Sequence, residues 1–148
     1  MDFILYSYGE VNGELTGGLD SLGVPFASSS GTAYNPLIEY NSGIMHAYYS
    51  AASRSSIVYF QNKIDLSQYS SLFFNGKLLY NPETSKYTKL CIWRDIPTYW
   101  NTQAVVTLQN NCEGEYEVDI SALKGEYYVG FGLYGRYAEV YLEQLILR

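Results

Sequence analysis

Over Glu115-Tyr116-Glu117-Val118-Asp119-Ile120 the sequence alternates strictly between acidic and apolar residues. This period of two is typical of a β-strand with one buried face and one face in water. Similar short runs of β-branched and aromatic residues recur along the chain, separated by clusters of glycine, asparagine, serine and proline. Such spacing is typical of a sandwich or barrel. We predict strands at 3–8, 24–28, 36–41, 44–50, 55–62, 71–80, 87–94, 103–109, 115–120, 126–134 and 138–147.

Two antiparallel sheets packed face to face would bury the inward positions of these strands. We therefore predict an all-β, jelly-roll β-sandwich in a single domain spanning residues 1–148. The last two strands are predicted to pair as a hairpin around residues 134–137. Because strands run from end to end of a sandwich, successive connections alternate between its two ends. One end is predicted to hold connections 63–70, 95–102 and 121–125.

The composition excludes several classes of protein. Hydrophobic residues make up 47 % of the 148 residues and charged residues 16 %, which excludes an intrinsically disordered chain. The net charge of −6 leaves no basic patch for a nucleic-acid backbone. No apolar run reaches the roughly 18 residues of a membrane span, so we predict no membrane insertion. The opening residues 1–5 lack the features of a signal peptide, so none is expected.

Histidine and cysteine, which many catalytic and metal sites use, are scarce in this sequence. His46 is the one histidine and lies in a predicted strand, so a Ser-His-Asp or Cys-His arrangement has no support. Two cysteines, Cys91 and Cys112, are too few for a disulfide scaffold, and we predict free thiols with Cys91 packed in a strand. The chain has no Cys-x-x-Cys, which argues against zinc. We predict a non-enzymatic protein without a cofactor.

Two blocks of the sequence resemble carbohydrate-binding-module-like (galactose-binding-like) β-sandwich domains. The block at 62–76 predicts a strand, a turn and a strand around Ile64-Asp65-Leu66-Ser67. The block at 116–130 ends a strand at Asp119-Ile120-Ser121 and continues through a short turn into a strand with alternating glycines. The resemblance implies a β-sandwich that hosts sugar binding, adhesion or a structural role.

The opening of the chain is similar to a variant of this domain found in phage and prophage tail proteins. It runs Leu5-Tyr6-Ser7-Tyr8-Gly9-Glu10 and is followed by Thr16-Gly17-Gly18. The resemblance implies a location in the virion tail or outside the cell. Sandwiches of this kind often hold a structural calcium ion. The available oxygen ligands lack the spacing of a calcium loop, so we predict no metal site; they are Asp2, Glu10, Asp20 and Glu143.

The segment 92–101 contains both tryptophans of the chain. A sugar ring presents an apolar C–H face and a hydroxyl rim, so its site needs an aromatic platform beside planar donors and acceptors. Strand alternation places Trp93 on the face of Lys89, which is predicted to be in water. The alternative is that Trp93 is a core residue and Trp100 closes the end of the sandwich. The ligand-binding residues predicted here are Trp93, Arg94, Asp95, Tyr99, Trp100 and Asn101.

A second candidate surface lies on the predicted last hairpin. Gly130 and Gly132 share a strand face with Tyr134, and two glycines on one face mark the close approach of a ligand or of another backbone. Tyr141, flanked by two glutamates on the neighbouring strand, would complete a shallow polar and aromatic groove, with Arg136 at the tip. The alternatives are a second packed layer or an oligomer contact, with Arg136 simply solvated.

The sequence therefore favours a non-catalytic recognition module that binds a bacterial surface carbohydrate. Seventeen tyrosines are too many to bury every hydroxyl in a core of this size, and recognition surfaces favour tyrosine. The alternative is a structural or protein-binding virion or accessory protein that uses a tyrosine-rich face for assembly, as a homo-oligomer, or for contact with a host protein.

Overall fold

Antiparallel strands make up the regular structure of the residues that are described. The computed structural model describes residues 2–10, 26–28, 37–49, 55–60, 62–79, 87–95, 106–109, 112–134 and 138–148. The strands are β1 (Phe3–Ser7), β2 (Phe26–Ser28), β3 (Leu37–Asn41), β4 (Ile44–Tyr49), β5 (Ser55–Phe60), β6 (Ile64–Asp65), β7 (Ser71–Leu79), β8 (Tyr87–Trp93), β9 (Val106–Gln109), β10 (Cys112–Asp119), β11 (Glu126–Tyr134) and β12 (Ala138–Leu147). Within these ranges no helix is long and apolar enough to cross a bilayer.

The strands form two six-stranded antiparallel sheets. Sheet 1 has the order β10-β7-β12-β4-β3, with β1 also paired to β12. Sheet 2 has the order β2-β5-β11-β8-β9, with β6 also paired to β11. The predicted all-β sandwich of two antiparallel sheets is confirmed. Each predicted strand has an observed counterpart, and β6 is the strand that the block at 62–76 predicts before its turn.

The core lies between the sheets and is built from the alternate, inward positions of their strands. Phe74 of sheet 1 and Phe131 of sheet 2 bring their ring centroids within 6.2 Å across the interface. Tyr6 and Tyr127 are also buried, and each hydroxyl donates to a backbone carbonyl, of Gly43 at 2.7 Å and of Lys124 at 3.1 Å. Both buried hydroxyls therefore have a hydrogen-bond partner, as buried polar groups require.

The predicted final hairpin is wrong, because β11 and β12 belong to different sheets. β11 pairs with β5, β8 and β6, whereas β12 pairs with β1, β4 and β7. Tyr134 and Tyr141 therefore lie on strands of opposite sheets and cannot share one groove. A Cβ at Gly130 would collide with the Val58 carbonyl and with Tyr59 of β5, so the close approach at this glycine is made by the neighbouring backbone.

β12 changes partner at a β-bulge. Its first half pairs with β4 as far as Leu142, its second half pairs with β1, and the register with β7 shifts between Leu142 and Gln144. At this point the Tyr8 N–H donates to the Glu143 carbonyl at 2.9 Å. Tyr8-Gly9 and Ser42-Gly43 form two-residue turns in which all four φ angles are positive. The two turns meet at the bulge and fix where β1 ends and where β4 begins.

The predicted grouping of connections 63–70 and 121–125 at one end of the sandwich is confirmed. Gly125 N–H donates to Ser67 Oγ at 2.8 Å, and Leu66 N–H donates to the Gly125 carbonyl at 3.0 Å. Each connection begins with the same Asp-x-Ser turn, in which an aspartate accepts a 2.9 Å hydrogen bond from the serine N–H two residues later: Asp65 with Ser67 and Asp119 with Ser121. We call this the Asp-x-Ser end.

We predict that Gly43→Ala destabilises the protein by about 2–4 kcal/mol, combining left-handed strain with overpacking. A Cβ at Gly43, where φ is +80°, would lie 2.6 Å from the Tyr8 carbonyl oxygen. Gly125, with φ +97° and open space around it, isolates the strain alone. Urea unfolding should therefore show a clearly larger loss for Gly43→Ala than for Gly125→Ala, and equal losses would contradict the packing of the two turns.

We predict that Asp119→Asn makes stability less dependent on pH in acid. Hydrogen bonds from the Ser121 side chain and N–H lower the pKa of Asp119 below its ordinary value. A lowered pKa in the folded state contributes stability above the unfolded pKa of about 3.9, and this contribution is lost as the pH falls through the folded value. The unfolding free energy measured in urea between neutral and strongly acidic pH should fall less steeply in the variant; an unchanged slope would refute the linkage.

Candidate functional site

Five residues in register form a row across the outer face of sheet 1. Each lies directly opposite the next on adjacent strands, in the order Glu113 (β10), Lys77 (β7), Tyr141 (β12), His46 (β4) and Glu39 (β3). Adjacent strands lie about 4.8 Å apart, so the row spans about 19 Å. Such a row collects charged, aromatic and hydrogen-bonding groups from five strands along one line.

Close contacts order the centre of this row. The rings of His46 and Tyr141 are stacked, with centroids 4.2 Å apart and 7° between their planes. Tyr48 stacks on the His46 ring at 4.8 Å, and His46 Nε2 lies 3.1 Å from Glu139 Oε1. Lys77 Nζ lies 5.8 Å from the centroid of the Tyr141 ring. The aromatic side chains are therefore held in place before any ligand arrives.

Glutamates secure both ends of the row. Lys77 Nζ lies 3.3 Å from Glu113 Oε1, and Glu39 accepts a 3.3 Å hydrogen bond from the Tyr48 hydroxyl. Glu39 Oε2 also lies 4.0 Å from His46 Nδ1. Exposed ion pairs of this kind contribute little to stability, so we regard these contacts as ordering side chains rather than holding the fold together.

Two depressions follow the row along one side and meet at its centre. The larger has a volume of about 390 Å³ and lies over β10, β7 and β12; the smaller, of about 180 Å³, lies over β12, β4 and β3. Ile44 and Tyr141 line both depressions. Together they form one elongated channel across five strands, which we call the transverse groove. Its polar lining residues beyond the row are Asn41, Asn75 and Glu143.

The stacking determines which parts of the rings a ligand can reach. One face of Tyr141 is covered by His46, and Lys77 approaches its ring as a cation. The ring edges and hydroxyls, together with the aliphatic side chain of Ile44, are what remains for contact. The groove therefore offers an apolar centre flanked by hydrogen-bonding groups, which is the general pattern of a small-molecule site.

The tyrosine hydroxyls of the groove stay protonated at neutral pH. Burial raises the pKa of Tyr141, and the charges of Glu139 and Glu39 raise it further, while Lys77 opposes them. Burial and the neighbouring Glu39 likewise raise the pKa of Tyr48. The Tyr141 hydroxyl can therefore donate a hydrogen bond as well as accept one, whereas the Tyr48 hydroxyl already donates its hydrogen to Glu39.

Trp93, the first predicted ligand-binding residue, is not exposed. Only 1 % of its surface is accessible, and it forms a second apolar cluster with Ile57 and Cys91 on the outer face of sheet 2. Tyr59 and Tyr128 pack against this cluster. The predicted wet face of β8 is therefore wrong, because both faces of that strand carry buried apolar residues. Trp93 cannot serve as an open platform in this arrangement.

The other predicted residues are dispersed. Arg94 and Asp95 are exposed at the end of β8, where the Arg94 guanidinium lies 5.4 Å from the Tyr127 ring, on the sheet opposite the groove. The side chain of Tyr134 lies outside the described part of the chain, although its backbone ends β11. Tyr141 is the one predicted residue that the described structure places in the groove. Tyr99, Trp100, Asn101 and Arg136 lie outside the described residues.

The cysteines are free thiols, as predicted. Burial raises the pKa of Cys91 to about 12, so this thiol has no nucleophilic character at neutral pH. Among the described residues no group of three or more His, Cys, Asp and Glu could hold a metal ion. His46 is half-buried in a strand, also as predicted, and its described hydrogen bond is to a carboxylate rather than to a serine or cysteine.

Sequence reasoning missed His46, Lys77 and Glu39 as groove residues. The periodicity places each on the outer face of its strand, but it carries no information on which strands are neighbours. The one available signal was the mixed character of β4, where His46 and Tyr48 alternate with the buried Met45 and Ala47. An outer face that bears an imidazole and a phenol indicates a surface that is partly covered or that takes part in binding.

Known structures share this fold. A family 29 carbohydrate-binding module is similar over 99 % of this chain and 84 % of its own, with 11 % identity and a TM-score of 0.59. A second structure of a family 29 module has 11 % identity and a TM-score of 0.58, and the similarity covers 99 % of this chain and 87 % of that one. A third family 29 structure, complexed with mannohexaose, has 10 % identity and a TM-score of 0.57, and the similarity covers 99 % of this chain and 90 % of that one. No protein-family model and no curated protein matches the sequence. At these identities the comparison establishes a shared fold.

We predict opposite shifts in the pKa of Tyr141 when its charged neighbours are removed. Glu139→Gln removes a charge that raises this pKa, so the ring should ionise at lower pH. Lys77→Met removes a charge that lowers it, so the ring should ionise at higher pH. Carbon-13 NMR of labelled tyrosine rings, with Tyr141→Phe to assign the signal, measures both. Shifts of the same sign in the two variants would contradict the described arrangement.

Proposed function

We propose that this chain is a non-catalytic module that binds an uncharged glycan in the transverse groove. The observation that carries the proposal is the groove itself, an elongated channel across five strands with an aromatic and aliphatic centre and polar groups along its length. An extended saccharide alternates apolar C–H surface with hydroxyls in the same manner. The shared fold with carbohydrate-binding modules supports the same class of ligand.

The charges around the groove favour an uncharged ligand. Four carboxylates lie along or beside it, whereas Lys77 is paired with one of them. The whole chain carries a net charge of −6, which adds a repulsive field toward any polyanion. Uronate-rich, sulfated or phosphate-containing polymers are therefore disfavoured. The four carboxylates are Glu39, Glu113, Glu139 and Glu143.

In the described part of the chain, the histidine of the groove contacts carboxylates and not the serine or cysteine that a Ser-His or Cys-His hydrolase requires. Within the described ranges His46 faces Glu139 and Glu39, and the buried thiol of Cys91 lies on the other sheet. Side chains that are already ordered before a ligand arrives are suited to recognition. Each hydrogen bond to a sugar gives little net free energy in water, so we expect weak affinity per site and function in several copies.

The finer assignment concerns the biological source of the glycan. We propose a carbohydrate of a bacterial surface, recognised by a module of a phage or prophage tail, and the support for this is the resemblance of the opening segment to such proteins. Retention on purified cell-wall polysaccharide from Gram-positive bacteria, compared with mannohexaose, distinguishes this source from a mannan-like one.

A second candidate function is assembly through the edge of sheet 1. Leu37 on β3, which ends the strand order of sheet 1, is 54 % exposed, and exposed strand edges promote pairing between chains. Light scattering separates the two functions. A stable oligomer in which the groove residues are protected from exchange would favour assembly, whereas a monomer with an open groove favours recognition.

We predict that Tyr141→Ala weakens glycan binding about tenfold or more, and that Tyr141→Phe weakens it about two- to tenfold, the equivalent of one neutral hydrogen bond. Tyr128→Phe is the matched control, since it removes a hydroxyl on the opposite outer face. Affinity electrophoresis of the full chain in gels containing neutral or sulfated polysaccharide provides the measurement. The proposal fails if no neutral glycan retards the wild type, or if Tyr141→Ala is retarded equally.

A further inference from the structure

A second cleft lies at the Asp-x-Ser end of the sandwich, away from the transverse groove. It has a volume of about 290 Å³ and is bounded by the start of β1, by the segment around β6 and by residues 68–69. Phe3 pairs with Leu147, six residues along β12 from Tyr141, so the cleft lies about 20 Å from the centre of the groove. We call it the end cleft.

The end cleft combines an aromatic floor with polar side chains at its rim. Phe3 and Tyr69 pack edge to face with centroids 6.3 Å apart, and the buried Ile64 extends the apolar surface. The rim residues are all exposed and include two planar amides, a carboxylate and an ammonium group. These four are Asn62, Gln68, Asp65 and Lys63.

The backbone around the cleft is fixed before any ligand binds. Ser67 N–H donates to Asp65 Oδ1 at 2.9 Å, and Tyr69 N–H donates to the Leu66 carbonyl at 3.1 Å. Lys124 Nζ donates to the Ser67 carbonyl at 3.1 Å from the neighbouring connection. Because these bonds already hold the segment, little conformational entropy would be lost when a ligand enters.

The chemistry of the end cleft matches a single hydroxylated ring. The apolar floor can take the C–H face of a pyranose, and the Asp65 carboxylate can accept hydrogen bonds from neighbouring hydroxyls. Asn62 and Gln68 can each donate and accept, while Lys63 donates to a ring or hydroxyl oxygen. One positive and one negative group at the rim leave the cleft without net charge. Its volume is at the small end of ligand pockets, which favours one sugar unit over a chain.

We propose that the end cleft is a second, independent saccharide site that takes one uncharged monosaccharide unit, such as a chain terminus or a branch. A module with two sites about 20 Å apart can hold two parts of one glycan, or two glycan chains, and gains avidity without further contacts. This proposal goes beyond the groove, and neither site requires the other.

The test is a titration of the nitrogen-15-labelled full chain with methyl glycosides of glucose, galactose, mannose and N-acetylglucosamine. We expect at least one glycoside to shift amide signals of residues 62–69 and of Phe3, with binding in the millimolar range. The double variant Asn62→Ala/Gln68→Ala changes only exposed side chains, and it should bind about tenfold more weakly. Tyr141→Ala should leave these shifts unchanged, which separates the end cleft from the groove.

Three outcomes would overturn the proposal. The first is the absence of shifts at 62–69 with every glycoside, and the second is a set of shifts confined to the groove. The third is a preference for methyl glucuronide that Lys63→Met abolishes, since the cleft would then capture an anion. Failure here leaves the groove testable by gel retardation, and failure in the gels leaves the end cleft testable by these shifts.

Discussion

The β-bulge between Leu142 and Gln144 is the constraint on which the site depends. A strand has a period of two, so a slip of one residue exchanges its buried and exposed faces. Ala138, Val140 and Leu142 face the core before the bulge, and Leu145 and Leu147 face it afterwards. The extra residue therefore keeps both halves of β12 apolar toward the core. It also allows β12 to pair first with β4 and then with β1 on the same side, with Tyr141 and Glu143 on the groove side of the junction.

The sequence contains the signal for this bulge. Apolar core positions fall at intervals of two until Leu142, and the next falls three residues later at Leu145. A bulge is the usual way for a strand to absorb such a change of phase. The partner strands that meet there carry no comparable signal. Which strands become neighbours is decided by the packing of the whole sandwich, and this is why the final hairpin was predicted wrongly.

The strand positions could be predicted from the sequence. The exposure of the outer faces could be predicted only in part. For β10 the alternation of glutamates with apolar residues gave the correct faces. For β8 the same reasoning failed, because Leu90, Cys91, Ile92 and Trp93 form a continuous apolar run, the pattern of a strand buried on both faces. A single polar residue, Lys89, does not mark a solvent-exposed face when it stands beside such a run. The second apolar cluster on sheet 2 is the physical reason that Trp93 is buried.

For the glycan binding proposed above, the stacked rings have a consequence for how the groove would discriminate between ligands. An open aromatic face can bind any ligand that has an apolar patch. In Tyr141, His46 and Tyr48, however, much of the ring surface is already in contact with a neighbouring ring. Recognition then depends on hydroxyls, ring edges and carboxylates whose positions are fixed by the strand register. A ligand whose hydroxyls do not match leaves these groups desolvated and unpaired, which costs more than a matched hydrogen bond contributes. Under the proposed function, the row across sheet 1 would therefore select among sugars rather than bind any of them tightly.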